Sequence, residues 1–365
     1  MQLKYKRRII RAVAGVSGTA LVLTAAFCLP ADTWWNLGRQ AALLSAALLQ
    51  PQSSIQALTE DWERSMAAAG KEESGSGEDV TPPGDVSVNE QQPPESSEAV
   101  IPPKGDGGGA IVEEQVGGGN EIAPGVYAKN PGGKEIDAVA YLEQDIGIRF
   151  EDTAEPQVLI YHTHTTENYM TYYAGYYNDE DVTRDLEGTR SVLMAGNALA
   201  ARLEAAGIGV VHATDVHDYP QYTGGYTRSE VTIQRELAAH PSIKVVLDLH
   251  RDALLRDDTT KVKATATVNG EKAAQMMIIA CTADTEDQPD PYWEENTRFG
   301  LHLQQYLSET YPGLMRPMSL TDVRYNQHLH SGALLIEIGT DANTVSEAMY
   351  SANLLGDALV TLLKG

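Results

Sequence analysis

Three near-continuous apolar runs, Val158–Ile160, Ile243–Leu249 and Leu334–Ile338, are interrupted only by Lys244, Asp248 and Glu337. A strand with one wet face alternates apolar and polar residues, so runs of this kind belong to strands buried on both faces. That is the setting of a mostly parallel sheet covered by helices. Helical patterns fall between the runs. Arg190–Ala206 carries Val192, Leu193, Ala195, Leu199 and Leu203 on one face, with Gly207 as its stop. Ser229–Ala239 is closed by Pro241, and Asn296–Thr310 and Val345–Leu363 complete the set. Ile208–His212 reads as a further strand, and Lys261–Val268 with Met276–Cys281 as a hairpin pair. This alternation predicts an α/β fold over residues 122–365: a single three-layer domain with a mostly parallel central sheet flanked by helices.

The first third of the chain has a different character. Within residues 1–30, Lys4, Lys6, Arg7, Arg8 and Arg11 precede an apolar stretch from Ala12 to Leu29, about the shortest helix that spans a bilayer. The basic flank is expected in the cytoplasm, with everything downstream outside. Phe27-Cys28-Leu29-Pro30 is a poor small-residue cleavage site, which favours a retained signal-anchor over a cleaved signal peptide, and the bulky Phe27 disfavours a lipid anchor at Cys28. Residues 31–70 form a juxtamembrane helical pattern divided by Pro51. Residues 71–121 read as an extended, disordered tether: from 72 onward, 12 acidic residues face one lysine, with paired prolines and glycine runs.

A net charge of -24 argues against a nucleic-acid partner, which would require clustered basic residues. The two cysteines, Cys28 and Cys281, form no CxxC pair, so neither a disulfide framework nor a thiolate zinc site is indicated. Any metal is therefore held by histidine and carboxylate, and Cys281 reads as a core thiol.

Each apolar run ends in unusual chemistry. The first leads into His162-Thr163-His164-Thr165-Thr166-Glu167, the second contains Asp248 and ends in His250-Arg251-Asp252, and the last carries Glu337. In open α/β sheets ligands bind outside the carboxyl ends of the strands, so one sheet edge collects imidazoles and carboxylates. Catalytic zinc takes three N or O ligands and keeps one position for water, while a nearby carboxylate removes that water's proton. His164 and Glu167, three residues apart, let a strand end and the following turn grip one ion, with His250 as third ligand. Glu337, costly to bury without a role, is the expected general base. His162 points with His164 under strand alternation and is the alternative histidine. Glu187, just before the first long helix, is the alternative carboxylate. Asp248 is placed to accept the spare N–H of His250, with Arg251 beside it.

Bland readings compete with each choice. A lone histidine at a strand end is more often a hydrogen-bonded structural residue; three converging strand ends favour a site. Arg251 and Asp252 could be an ordinary exposed pair. The aromatic, turn-rich segment His217–Tyr226 is either a plain surface loop or the rim of a substrate groove touched by Tyr222 and Tyr226. Asn326, His328 and His330 precede the last run, and the two histidines are more often structural.

Four segments taken together resemble the stage II sporulation protein P family, of the zinc-dependent N-acetylmuramoyl-L-alanine amidase class. They are Tyr161–Tyr169, His217–Pro220, Leu247–Ala253 and Leu334–Gly339, in order over residues 150–365. The resemblance implies Zn2+, peptidoglycan as substrate, cleavage of the amide between N-acetylmuramic acid and L-alanine, and a possible cut of peptide cross-links. It also implies work at the sporulation septum during forespore engulfment, membrane anchorage, and stage II sporulation protein D, a lytic transglycosylase, as partner. By motif, His162/His164 and His250 correspond to zinc-site positions and Glu337 to the catalytic glutamate. The chain departs from the broader amidase pattern where a glutamate ligand opens the first helix: here stands Arg190-Ser191-Val192-Leu193, with Glu187 only near register. Rival readings are a zinc peptidase of carboxypeptidase type and a non-catalytic wall-binding module.

Overall fold

In the computed structural model, which describes residues 101–364 apart from 106, 283, 286 and 287, the three apolar runs lie side by side in one sheet. The chain order is β1 (Gly109–Glu114), β2 (Asn120–Ala123), β3 (Val126–Lys129), α1 (Ala138–Leu142), β4 (Pro156–Tyr161) and β5 (Tyr176–Tyr177). It continues through α2 (Val192–Ala205), β6 (Gly209–His212), α3 (Gly225–Ala239), β7 (Val245–Asp252), β8 (Leu255–Asp257) and β9 (Thr260–Val268). It ends with β10 (Glu271–Ala274), β11 (Met276–Cys281), α4 (Trp293–Thr310), β12 (Met318–Thr321), β13 (Ala333–Thr340) and α5 (Val345–Leu363).

The main sheet has eight strands in the order β2-β3-β12-β11-β13-β7-β4-β6. Its centre is parallel: β13 with β7, β7 with β4, and β4 with β6. Only β2 with β3 and β11 with β13 run antiparallel. Burial on both faces is visible within β4, where Val158 and Ile160 join one core cluster and Leu159 and Tyr161 the other. The first cluster packs under α2, α4 and α5 through Leu199, Leu203, Leu303, Leu355 and Leu359. The second packs under α3 through Ile233. Local signals set the helix ends. Ser191 accepts from the Leu193 amide to open α2, Gly207 at φ 77° closes it, and Thr344 with Glu347 forms a capping box at α5.

Two expectations need correction. Lys261–Val268 and Met276–Cys281 are not a hairpin pair. β9 turns back at Asn269-Gly270, both at positive φ (51° and 87°), to pair with β10, while β11 pairs with β12 and β13. Asn-Gly is the strongest two-residue hairpin signal, and here it closes a smaller second sheet, β10-β9-β1-β5 with β8 on β9. The tether also cannot run to residue 121, because Gly109–Glu114 is the strand β1, parallel to β9. Composition over a long window hides a short β-branched segment that borrows a distant partner. Lys263 of β9, 2% exposed, pairs with Glu113 of β1 within this layer (3.1 Å) and fastens the layer to the rest by its ion pair to Glu347 of α5 (2.5 Å).

The expected anchor (1–30), the helical segment (31–70) and the acidic stretch to residue 100 lie outside the described residues. Among the described residues no helix is long and apolar enough to cross a membrane.

Candidate metal centre

β4 stops at Tyr161, so strand alternation does not extend to the two histidines, and their rings part company. His162 turns under α2. Its Nδ1 donates to the Leu249 carbonyl (2.8 Å), and its Nε2 lies 2.8 Å from Nε2 of His212. Helix α2 comes down on this pair at Gly196, where a Cβ would fall 2.8 Å from His162 Nε2. Burial lowers the pKa of His162 to about 4, and burial followed by His162 lowers that of His212 to about 3. His162 is thus engaged as a structural residue.

His164 swings the other way. His164, Glu167 and His250 are buried and offer ligand atoms that all lie within 4.8 Å of one another. Nδ1 of His164 is 3.7 Å from Oε1 of Glu167, and Nδ1 of His250 is 3.4 Å from Oε2. A short turn makes this possible, since the Glu167 amide donates to the His164 carbonyl (3.1 Å) and folds the loop back over the end of β7. Glu187 is elsewhere, exposed before a single turn of 3-10 helix, and accepts only a bond from Thr189 (3.3 Å).

The donor set suits a zinc ion, for which two imidazoles and a carboxylate are ordinary ligands. Burial and then the charge of His250 lower the pKa of His164 to about 4, so its ring is neutral. Burial works against ionisation of Glu167, but His250, Arg251 and His164 prevail and hold its pKa at about 2. Burial also opposes charge on His250, yet Asp248 and Glu167 raise its pKa well above the ordinary value. Its ring would have to release a proton to accept a metal. Asp248 is fixed by the amide (2.8 Å) and hydroxyl (2.7 Å) of Thr163 and lies 2.9 Å from His250 Nε2, outside hydrogen-bond alignment.

Glu337 of β13 sits in register beside His250 of β7. Burial raises its pKa to about 8; His250 eases the shift, while Glu167 and Asp252 add to it. Its Oε2 is buried with no hydrogen-bond partner. A carboxyl poised near neutrality beside the His164–Glu167–His250 group has the form of a general acid–base.

Arg251 is no exposed surface residue. It is 5% exposed, and its guanidinium donates to the carbonyls of Asn168 (3.0 Å) and Thr183 (2.7 Å) while its amide donates to Glu167 Oε2 (3.2 Å). Tyr222 stacks on His164 at 4.3 Å between ring centroids, and Tyr226 meets the same ring edge-on at 5.6 Å. Asn326, itself at φ 63°, ties this rim together by donating to the Tyr226 carbonyl (2.9 Å) and Ser229 Oγ (3.1 Å). His330 accepts from the Gly332 amide (3.1 Å). His217 donates from Nδ1 to the His162 carbonyl (2.7 Å) and pairs with Thr232 through Nε2 (2.9 Å).

Three neighbours escape sequence reasoning. Arg184 donates to Glu167 Oε1 (2.9 Å) and Asp218 Oδ2 (3.2 Å) and lies over the Tyr222 ring at 4.4 Å. Asp218 also accepts the Thr166 hydroxyl (2.7 Å). Thr163 links Asp248 to Ser229, hydroxyl to hydroxyl, at 2.7 Å. Arg184 stands in a charged surface-type stretch, so nothing in its local sequence sets it apart.

The chain is 29% identical to stage II sporulation protein P of Bacillus subtilis (strain 168) over 211 residues, 55% of this chain and 49% of that protein, so the match spans about half the length of the relative. Among solved structures, the CwlD amidase of Clostridioides difficile, determined with the GerS lipoprotein, is 11% identical. That match covers 56% of this chain and 98% of the other, with a TM-score of 0.35. The N-acetylmuramoyl-L-alanine amidase AmiC2 of Nostoc punctiforme is 12% identical, covering 58% and 97%, with a TM-score of 0.32. The family model for stage II sporulation protein P matches residues 51–360, and this chain belongs to that family.

Proposed function

We propose that the protein is a zinc-dependent peptidoglycan hydrolase that cleaves the amide between N-acetylmuramic acid and L-alanine. The observation that carries the reading is the buried His164–Glu167–His250 group with the carboxyl of Glu337 beside it. When bound, a zinc ion supplies a Lewis acid that makes water nucleophilic near neutral pH and polarises the scissile carbonyl. His164, Glu167 and His250 hold the ion. Glu337 takes the proton of the attacking water and hands it to the leaving amide nitrogen, a shuttle suited to a group whose pKa lies near the working pH. Asp248 orients His250, Arg251 and Arg184 keep the Glu167 carboxylate in place, and Tyr222 and Tyr226 flank the entrance.

Family membership supports the wider setting. The chain acts on wall outside the membrane at the sporulation septum, held by a signal-anchor in residues 1–30 and working beside stage II sporulation protein D. Cutting of peptide cross-links is a second activity of the same site. The test is metal analysis of the purified chain, followed by mass spectrometry of muropeptides from digested sacculi. About one zinc per chain and release of stem peptides with a free L-alanine terminus are expected. Glycan that keeps its peptides after incubation with the zinc-loaded protein would sink the amidase reading, and fragments cut only within the peptides would reassign it to a peptidase.

A further inference from the structure

Between β12 and β13 two successive non-glycine residues lie in the left-handed region, Tyr325 (φ 43°) and Asn326 (φ 63°). Asparagine visits that region readily; a bulky aromatic does so only where its surroundings impose it. Here they act from two sides. The Asn326 side chain donates to the Tyr226 carbonyl (2.9 Å) and to Ser229 Oγ (3.1 Å), both in the first turns of α3. Gln327, 2% exposed, ties the other side to β11, accepting from the Cys281 amide (3.1 Å) and donating to the Ile279 carbonyl (3.1 Å). Its own amide donates to the Arg324 carbonyl (2.7 Å) and closes the turn. The backbone at Tyr325 is clamped between α3 and the main sheet, and that clamp decides where the ring goes.

The ring lies 5.3 Å from that of Tyr226, which is near-parallel to the His250 ring (6.4 Å between centroids, 17° between planes) and edge-on to His164. Tyr325 is half-buried, and its hydroxyl is neither a buried atom nor hydrogen-bonded to any described residue. Among the ionisable groups that act on this hydroxyl Glu337 comes first, then Asp322 and His250, so it faces the place where Glu337 and His250 sit in register. Burial and then Glu337 raise its pKa, which keeps the proton on the phenol and leaves it a donor. Tyr222 is less free, lying against both His164 (4.3 Å) and Arg184 (4.4 Å). Packing alone gives no reason for a hydroxyl at 325, since a phenylalanine ring would fill the same space. An amide attacked by water gathers negative charge on its carbonyl oxygen, and a donor already fixed in place stabilises that charge without rearranging.

We propose that Tyr325 is a further catalytic residue, its hydroxyl donating a hydrogen bond to the carbonyl oxygen of the scissile amide; the identity of that amide rests on the hydrolase reading above. The phenol keeps its proton throughout, and Glu337 alone carries the proton from water to nitrogen. The test uses the full chain in detergent micelles. In the zinc-loaded protein Tyr325→Phe is expected to lower kcat on soluble muropeptides by about 10–100-fold, with KM within about 3-fold and zinc content and Tm unchanged. Tyr226→Phe, which keeps its ring beside His250, is the comparison and is expected to cost less than about 3-fold in kcat. A second arm needs neither metal nor turnover: chain labelled with 3-fluorotyrosine is titrated with muramyl dipeptide, which carries the amide. The fluorine resonance of Tyr325, identified by its loss in Tyr325→Phe, is expected to shift saturably with a Kd in the millimolar range. Tyr325→Phe at the wild-type rate, a larger loss in Tyr226→Phe, or a Tyr325 resonance that the probe leaves in place overturns the assignment. A wild-type chain whose Tyr325 resonance moves but which releases no stem peptides defeats the hydrolase reading, while the contact stands.

Discussion

Replacing Glu337 with glutamine separates stability from activity in opposite directions. In the metal-free protein burial holds this carboxyl at a pKa of about 8, against 4.5 for an ordinary glutamate. Below pH 4.5 both folded and unfolded chains are protonated here and the substitution changes little. Between 4.5 and 8 only the unfolded chain ionises, so the wild type loses stability as pH rises through that window. Each pH unit is worth about 1.36 kcal/mol, which gives a ceiling of roughly 4 kcal/mol at pH 7.5 and under about 1 kcal/mol at pH 5. Glutamine keeps the shape and cannot ionise. Chelated E337Q is therefore expected to exceed chelated wild type by on the order of 2–4 kcal/mol at pH 7.5, a Tm gain of about 4–12 °C, and to nearly match it at pH 5. Zinc-loaded E337Q should retain the metal and lose about 10²–10⁴ of the rate on sacculi. Differential scanning calorimetry in chelator at the two pH values, with metal analysis and a digestion assay, reads all of this. A variant no more stable than wild type at pH 7.5, or a gain independent of pH, would refute the buried-carboxyl argument; normal digestion would refute the assignment of the base.

Zinc binding to the apoprotein should release protons at pH 7, because His250 and Glu337 both have raised pKa values; calorimetric titration in buffers of different ionisation enthalpy gives the number, and zero release contradicts the protonation scheme. Arg184→Gln removes the 2.9 Å bond to Glu167 and the contact with Tyr222, and should weaken zinc affinity by about 10–100-fold in a chelator competition while leaving the folded state intact. Unchanged affinity would show that Arg184 is a bystander. Lys263→Ala leaves the buried Glu347 without its cation, while Glu113 keeps Lys272, a loss on the order of 3–5 kcal/mol in denaturant titration, and a loss below about 1 kcal/mol would mean that water replaces the ammonium group.

The sequence by itself determined the sheet and its chemical edge. Val158–Ile160, Ile243–Leu249 and Leu334–Ile338 mark buried parallel strands because nothing in them can face water, and local spacing alone puts His164 and Glu167 on one turn. What lay beyond reach depends on partners far along the chain. Both His162 and His164 follow the same strand, and only the end of β4 at Tyr161 and the close approach of Gly196 decide that one ring turns under α2 and the other toward Glu167. The strand at Gly109–Glu114 exists because β9 offers it an edge, so a composition that reads as tether becomes sheet. Arg184 reaches Glu167 from a stretch with no pattern of its own. Periodicity records which face of an element is dry; which side chains meet across elements is set by packing, which no local window contains.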